Sequence, residues 1–383
     1  MRERIIAVLF ILKFGIILLI SEFADAIIPF EGNYSYIPFL RSYHLPDVVT
    51  KLAAFDGAHY VNIAREGYHN FDQAFFPLYP SLMSFLGNFL DKQHIAAGLL
   101  IANMSALFGI IMFYRFSRRV VGEDGAWWAT LLLLTFPTSF FFHMVYTEGL
   151  FLFLIASGAS LAYKKKIFPA ALSGILASLT RFVGVFQWIL YLPILKKQIY
   201  RKGRIVLKKL RFSDIVLIFS PVLGLLVYML YLWQTTGDPV NFITVQEGFN
   251  ANRSSKIILL PQVYWRYFKI FLTAQRDISA ATAMLEFILF NIMLAGATYF
   301  AYKAYKRRDE MMLAVSVFSL FHLLVPPLTG TLSSMPRYVL FSWGSFYAFA
   351  AFTSRAGKYV ILTVSFVLQL LLTGVFLQGY FIS

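Results

Sequence analysis

The 383-residue chain contains no cysteine, which excludes disulfides and thiolate metal sites and leaves the redox compartment unread. Charge is scarce as well: Asp, Glu, Lys and Arg make up 14% of the residues, against about a quarter in a soluble domain. So few charges cannot cover the surface of a soluble protein of this length. Also missing are the H-E-x-x-H zinc motif, the Walker phosphate loop and G-x-G-x-x-G. No period-length repeat and no low-complexity tract is present. His44, His69, His94 and His322 show no ligand spacing, and the carboxylates form no compact cluster. The sequence therefore predicts no metal and no cofactor, with Asp56 and Asp72 the one carboxylate pair to watch.

What is present is apolar. Hydrophobic residues account for 59% of the chain and the mean hydropathy is positive. A bilayer core of roughly 30 Å asks for about 20 apolar residues per helix. Such stretches occur near 5–21, 94–114, 126–142, 148–163, 167–180, 182–195, 214–233, 280–302, 311–328, 338–354 and 359–380. The pattern predicts an all-α polytopic membrane protein of about eleven transmembrane helices in a single domain, 1–383. The pieces at 167–195 are short enough to form one bent unit. The first stretch begins basic like a signal peptide, but it contains Lys13 and lacks a small-residue cleavage site before Glu22, so a retained helix is expected.

A net charge of +15 raises the question of nucleic acid, and the placement of the charges excludes it. Basic residues gather at Arg2/Arg4, Arg115/Arg118/Arg119, 164–166, 196–211, 303–308 and Arg355/Lys358, always between apolar stretches. A cytoplasmic N-terminus puts all of them inside, as the positive-inside rule requires, and leaves the C-terminus outside. Two large outer segments follow, 22–93 and 234–278. The first is punctuated by Pro29, Pro38, Pro46, Pro77 and Pro80. Its stretch 75–89 is expected to be an interfacial helix, because reading it as a span would turn every later basic run outward. Residues 258–276 mix aromatics with Arg266, Lys269 and Arg276, which suggests a second helix lying on the outer surface.

The groups capable of chemistry fall on that outer side. Asp56 precedes a helical pattern in which Asp56, His59, Tyr60 and Ile63 share one face. Asp is a favoured N-cap, so capping alone accounts for it. A carboxylate at a helix start beside an imidazole can equally take a proton from a hydroxyl. His143, Tyr146 and Glu148 are expected at the outer mouth of two helices, and Arg181 between two apolar pieces. Gln246, Glu247 and Arg253 lie in the second large loop, and Met335-Pro336-Arg337-Tyr338 opens a helix. An ionisable group beside apolar spans is costly and points to function. The plain alternative for each arginine is snorkelling toward lipid headgroups.

The pattern Phe55-Asp56-Gly57, Ile63-Ala64, Gly67-Tyr68 and Ala74-Phe75-Phe76-Pro77-Leu78-Tyr79-Pro80 resembles the PIG-V mannosyltransferases, the GPI mannosyltransferase II enzymes and their prokaryotic relatives. Ser139-Phe140-Phe141, Tyr146-Thr147-Glu148, Thr180-Arg181 and Pro336-Arg337-Tyr338 are similar to further segments of that family, so the resemblance runs from Asp56 to Tyr338. It implies a GT-C-type fold, a catalytic Asp56 in the first outer loop, and mannose drawn from a polyprenyl- or dolichyl-phosphate donor rather than a nucleotide sugar. Where the family often has Trp before the aspartate, this chain has Phe55. The acceptor implied is a glycolipid or glycan and need not be a GPI anchor. The short loops suit a prokaryotic plasma membrane. Nucleotide sugars are cytoplasmic, whereas a flipped lipid-phosphate sugar is available on the outer face, where every matching segment lies. Asp56 is then expected to act as general base in an inverting transfer, with Arg181 and Arg337 holding the phosphate. His59, Gln73, Tyr79, Tyr146, Glu148, Gln246 and Tyr338 are further expected substrate contacts. Two other classes fit the same spans: a solute transporter, and a membrane subunit that binds lipid-linked sugars without catalysis.

Overall fold

The computed structural model describes residues 1–201, 204–205, 211–249, 253–275 and 277–382. Much of the basic run 196–211, and Arg276, lie outside the described residues. Among the described residues the regular structure is helical apart from a two-residue strand pairing of Tyr200–Arg201 with Arg204–Ile205. The chain is an all-helical polytopic membrane protein.

The span lengths differ from the even set of eleven. Among the described residues six helices are long and apolar enough to cross a bilayer, including Arg2–Ile27, Phe212–Thr236, Ile278–Arg307 and Arg355–Leu377. His94–Thr135 covers two expected spans, because the chain turns at Gly122, whose φ of 75° needs the left-handed region. Glu148–Tyr163, Ile167–Ser178 and Phe182–Lys196 are shorter, and the last opens as a 3-10 helix over Phe182–Tyr191. Residues 167–195 are thus two helices rather than one bent unit. The stretch expected at 338–354 is broken into Met335–Tyr338, Val339–Phe341 and Trp343–Phe352. A window of hydropathy counts apolar residues and does not see such interruptions.

At one end of the bundle Arg2 pairs with Asp124 (2.8 Å), Arg115 with Glu3 (2.6 Å) and Lys196 with Glu310 (2.8 Å), joining loops expected on the cytoplasmic side. The opposite end carries the first large segment, built as short helices Ile37–Arg41, Asp47–Lys51, Asp56–Glu66 and Leu78–Asn88 between its prolines. Leu78–Asn88 leaves Phe85 exposed, and Leu260–Thr273 in the second segment leaves Trp265, Phe268 and Leu272 exposed, as amphipathic surface helices do.

One interruption positions the site. The helix ends at Thr135, a 3-10 turn covers Ser139–His143, and the next helix starts at Glu148. Carbonyls freed within a membrane must find donors. Lys13, buried in the first helix, donates Nζ to the carbonyls of Leu134 and Ser139 (both 2.9 Å) and to Ser139 Oγ (2.6 Å). Gln369 Nε2 donates to the carbonyl of Phe136 (2.8 Å). Lys13 is therefore fully employed in holding a broken backbone. The helix from Glu148 then crosses 94–121 almost backbone to backbone: a Cβ at Gly149 would stand 2.4 Å from the carbonyl of Ala102.

Candidate functional site

Three stretches distant in sequence are tied together by hydrogen bonds to backbone. The Leu52 carbonyl accepts from the Val145 N–H (2.9 Å) and the Ala54 carbonyl from the Tyr146 hydroxyl (3.1 Å). The Thr138 hydroxyl donates to the carbonyl of Pro336. Asp56, Glu148 and Arg337 are thereby brought together. Phe55 and Ser334, just ahead of the two ends of this cluster, sit at φ 56° and 68°, a region that costs a non-glycine residue about 1–3 kcal/mol. Phe55 is held there by ring contacts with Tyr34, Tyr36, Phe376 and Phe381.

Asp56 is the first residue of the helix Asp56–Glu66, not its cap, and makes no side-chain capping bond. The capping account is corrected: Asp56 Oδ2 lies 2.6 Å from Arg337 Nη1 instead. The other side of Arg337 faces Glu148, with Nε 3.9 Å from Oε1, and the same Oε1 lies 2.5 Å from Arg181 Nη1. The result is an alternating chain, Asp56–Arg337–Glu148–Arg181. Arg181 also stands over the ring of Tyr338 (4.6 Å) and Arg337 over that of Tyr146 (5.2 Å), faces that favour a cation. Both arginines are over nine-tenths buried, which answers the snorkelling alternative: their charge is turned into the protein. Burial works against the charge of Asp56, but Arg337, and then His59, outweigh it and hold the carboxyl below its ordinary range.

A cavity of about 1600 Å³ opens around Asp56, Arg181 and Arg337. His59, Gln246 and Tyr338 also line it. His59 stacks on Phe75 (4.7 Å) and donates Nδ1 to the buried Asp72 (3.0 Å), whose other oxygen takes the His69 N–H (3.1 Å). Asp72 thus has its oxygens on other partners, and among the described residues no group of three or more His, Cys, Asp or Glu is placed to hold a metal.

Four of the expected substrate contacts lie off the cavity wall. Tyr79 is fully buried and donates to the carbonyl of Gly98 (2.9 Å). Gln73 turns its amide to the carbonyl of His69 (3.0 Å). Tyr146 is 1% exposed, under the Arg337 guanidinium, and Glu148 has no exposed surface at all. His143 is buried as well, donating to Asn103 (2.7 Å).

Arg253, noted in the second outer loop but given no substrate contact, also lines the cavity. Arg253 donates to Gln246 and, at 2.8 Å, to Ser334, both neutral, and has no carboxylate at ion-pair distance among the described residues. A guanidinium largely withdrawn from water with only neutral partners is suited to an incoming anion. Its place in an outer loop, seven residues from Gln246, was the one available signal.

No protein-family model matches the chain, and no curated protein does. Among solved structures it is similar to ArnT from Cupriavidus metallidurans bound to undecaprenyl phosphate, at 14% identity over 93% of this chain and 62% of that one, TM-score 0.48. It is also similar to the Archaeoglobus fulgidus oligosaccharyltransferase AglB in complex with an inhibitory peptide and a dolichol-phosphate, at 13% identity over 95% of this chain and 56% of that one, TM-score 0.48. The oligosaccharyltransferase of the same organism with Zn and sulfate gives 14% identity over 94% and 53%, TM-score 0.44. The chain thus spans 53–62% of the length of these structures.

Proposed function

We propose that the chain is a membrane glycosyltransferase of GT-C type that moves a mannosyl residue from a polyprenyl- or dolichyl-phosphate donor to a glycolipid or glycan acceptor on the extracytoplasmic face. The observation that carries the reading is the Asp56–Arg337 pair, set in a large cavity at the loop-bearing end of the bundle beside a third, carboxylate-free cation, Arg253. A base and a phosphate-binding set within one cavity are what transfer from a lipid phosphate needs.

In the proposed step the acceptor oxygen attacks the anomeric carbon and its proton passes to Asp56. The bond from that carbon to the phosphate oxygen breaks, and the electron pair leaves on the lipid phosphate. The leaving group goes from a singly charged diester to a monoester that gains negative charge. Arg253 and Arg337 would take up that charge, with Arg181, held by Glu148, supporting Arg337 from behind. Asp56 in its pair with Arg337 is a weakened base. As the phosphate gains charge it competes for Arg337, and the proton affinity of Asp56 rises as the hydroxyl must lose its proton.

The test uses purified protein with polyprenyl-phosphate-[³H]mannose and crude membrane lipids, following release of polyprenyl phosphate by wild type and Asp56→Asn. Turnover by wild type alone supports both donor class and base. Equal turnover by both proteins removes Asp56 as the base, and none by wild type across several donor sugars overturns the transferase reading.

A further inference from the structure

The segment 331–334 leads into the short helix that carries Arg337, and its last residue, Ser334, is 2% exposed and lines the cavity. Ser334 Oγ accepts from Arg253 Nη2 (2.8 Å) and from Arg337 Nη2 (3.1 Å). Nη1 of the same Arg337 faces Asp56, so one guanidinium spans the carboxylate and the serine. A hydroxyl has two lone pairs and one proton. Here both lone pairs are taken by guanidinium N–H groups, and the proton must point elsewhere. Among the described residues no acceptor receives it. A buried donor in a cavity wall without an acceptor calls for one from a ligand, and two adjacent positive charges favour an anion.

The φ of 68° at Ser334 persists only where its surroundings hold it. The helix Leu260–Thr273 supplies that hold. Arg266 Nη1 donates to the carbonyl of Gly330 (2.9 Å), and the Leu332 N–H donates to the Tyr267 hydroxyl oxygen (3.0 Å). Tyr267 is buried and gives its own proton to Glu286 on the helix Ile278–Arg307. Glu286 thus turns the Tyr267 hydroxyl so that a lone pair meets Leu332, two residues before Ser334. The stretch that carries Arg253 is tied to the same strip of chain. Ser254 and Ile258 donate their N–H groups to the carbonyls of Thr329 (2.8 Å) and Leu328 (2.9 Å).

We infer that Ser334 is a third phosphate donor, set between Arg253 and Arg337, and that Tyr267, oriented by Glu286, is the residue that positions it. The inference rests on the proposed transferase reading and adds to it the group that fixes where the phosphate sits. Because Arg337 spans Asp56 and Ser334, a phosphate oxygen bound at Ser334 lies beside the base. The chemistry recognised is a phosphate oxygen, whether from a prenyl phosphate or from free inorganic phosphate.

The assignment is tested by binding, independently of turnover. The full chain in lipid nanodiscs is titrated with a short prenyl phosphate, the matching prenyl alcohol and inorganic phosphate. Ser334→Gly removes the hydroxyl and suits the positive φ, so the fold is kept. It is expected to weaken prenyl phosphate about tenfold, the loss of one hydrogen bond to a charged group, and to leave the alcohol unchanged. Tyr267→Phe is expected to act in the same direction, again sparing the alcohol, which a general loss of structure would not. The double variant should lose no more than Ser334→Gly alone, since both changes remove the same donor. Ser334→Ala is the second variant, in case the glycine loosens the segment. Unchanged prenyl phosphate affinity in both folded Ser334 variants overturns the donor, and additive losses overturn Tyr267 as its positioning residue. Inorganic phosphate binding as tightly as prenyl phosphate, with the same response to the variants, overturns the lipid as the source of the phosphate. Failure of the transferase reading shows separately, as no lipid phosphate release from a sugar donor despite these binding losses.

Discussion

Arg337 is shared by two carboxylates, with Nη1 2.6 Å from Asp56 and Nε 3.9 Å from Glu148. Glu148 is fully buried, and its Oε2 has no hydrogen-bond partner among the described residues. Such an unsatisfied oxygen is expensive, and it lies beside the guanidinium that a substrate phosphate would pull from Asp56. On the proposed reading Glu148 is a positioning residue, acting through Arg337 and Arg181.

Glu148→Gln is expected to cost stability before it costs chemistry, because it leaves Arg181 buried without a counter-charge. Removing one partner of a buried pair costs about 3–5 kcal/mol. Thermal unfolding in detergent should show a clear fall in Tm. The double variant Glu148→Gln/Arg181→Gln should recover part of it. Strictly additive losses would show that the two side chains are not coupled.

Asp56→Asn should lower turnover by about 10²–10⁴-fold, the range for loss of a general base. The amide retains the shape, so binding of the lipid phosphate should be kept or improved, since Arg337 is released from its carboxylate. Phosphate release assayed beside prenyl phosphate binding separates the two effects. Loss of both together would point to a collapsed site.

The acid limb of the pH profile gives an independent check on the pair. Because the folded Asp56 titrates below its ordinary range, its ion pair contributes stability at pH above that range, lost as pH falls through the lowered value. Wild-type kcat/KM should therefore persist to a pH below the usual carboxylate range. In Arg337→Gln the charge that opposed burial is gone, and the limb should move upward. An unmoved limb would assign it to another group.

Much of this site could be anticipated from the chain, in pieces. Asp56, Arg181 and Arg337 announce themselves as ionisable groups beside apolar runs, a one-dimensional signal. Their pairing does not, because the contact between Asp56 and Arg337 depends on how loops from both halves of the chain close over the bundle. Tyr79 lies in the same motif as Asp56 and looks equally suited, yet its helix turns the hydroxyl toward Gly98. Glu148 at a helix start reads as exposed, and only the crossing at Gly149 shows why it is sealed. Arg253 was visible as one more loop arginine. What distinguishes it is the neutrality of Gln246 and Ser334, a property of neighbours rather than of sequence.

That crossing makes a prediction away from the cavity. A methyl group at Gly149 would lie 2.4 Å from the Ala102 carbonyl and 2.9 Å from the Ala106 Cβ, with no flexible side chain to give way. Gly149→Ala must push the helix beginning at Glu148 off the helix 94–121. Overpacking of this kind costs about 1–3 kcal/mol. The displaced residue next to it carries the carboxylate between Arg181 and Arg337, so activity should fall out of proportion to stability. The check is kcat at a temperature well below the lowered Tm, where the protein remains folded. A drop of tenfold or more fits a site displaced by about 1 Å, for which losses near 10² are on record. Full kcat in the folded protein would mean that Glu148 holds its place by the ion pairs alone.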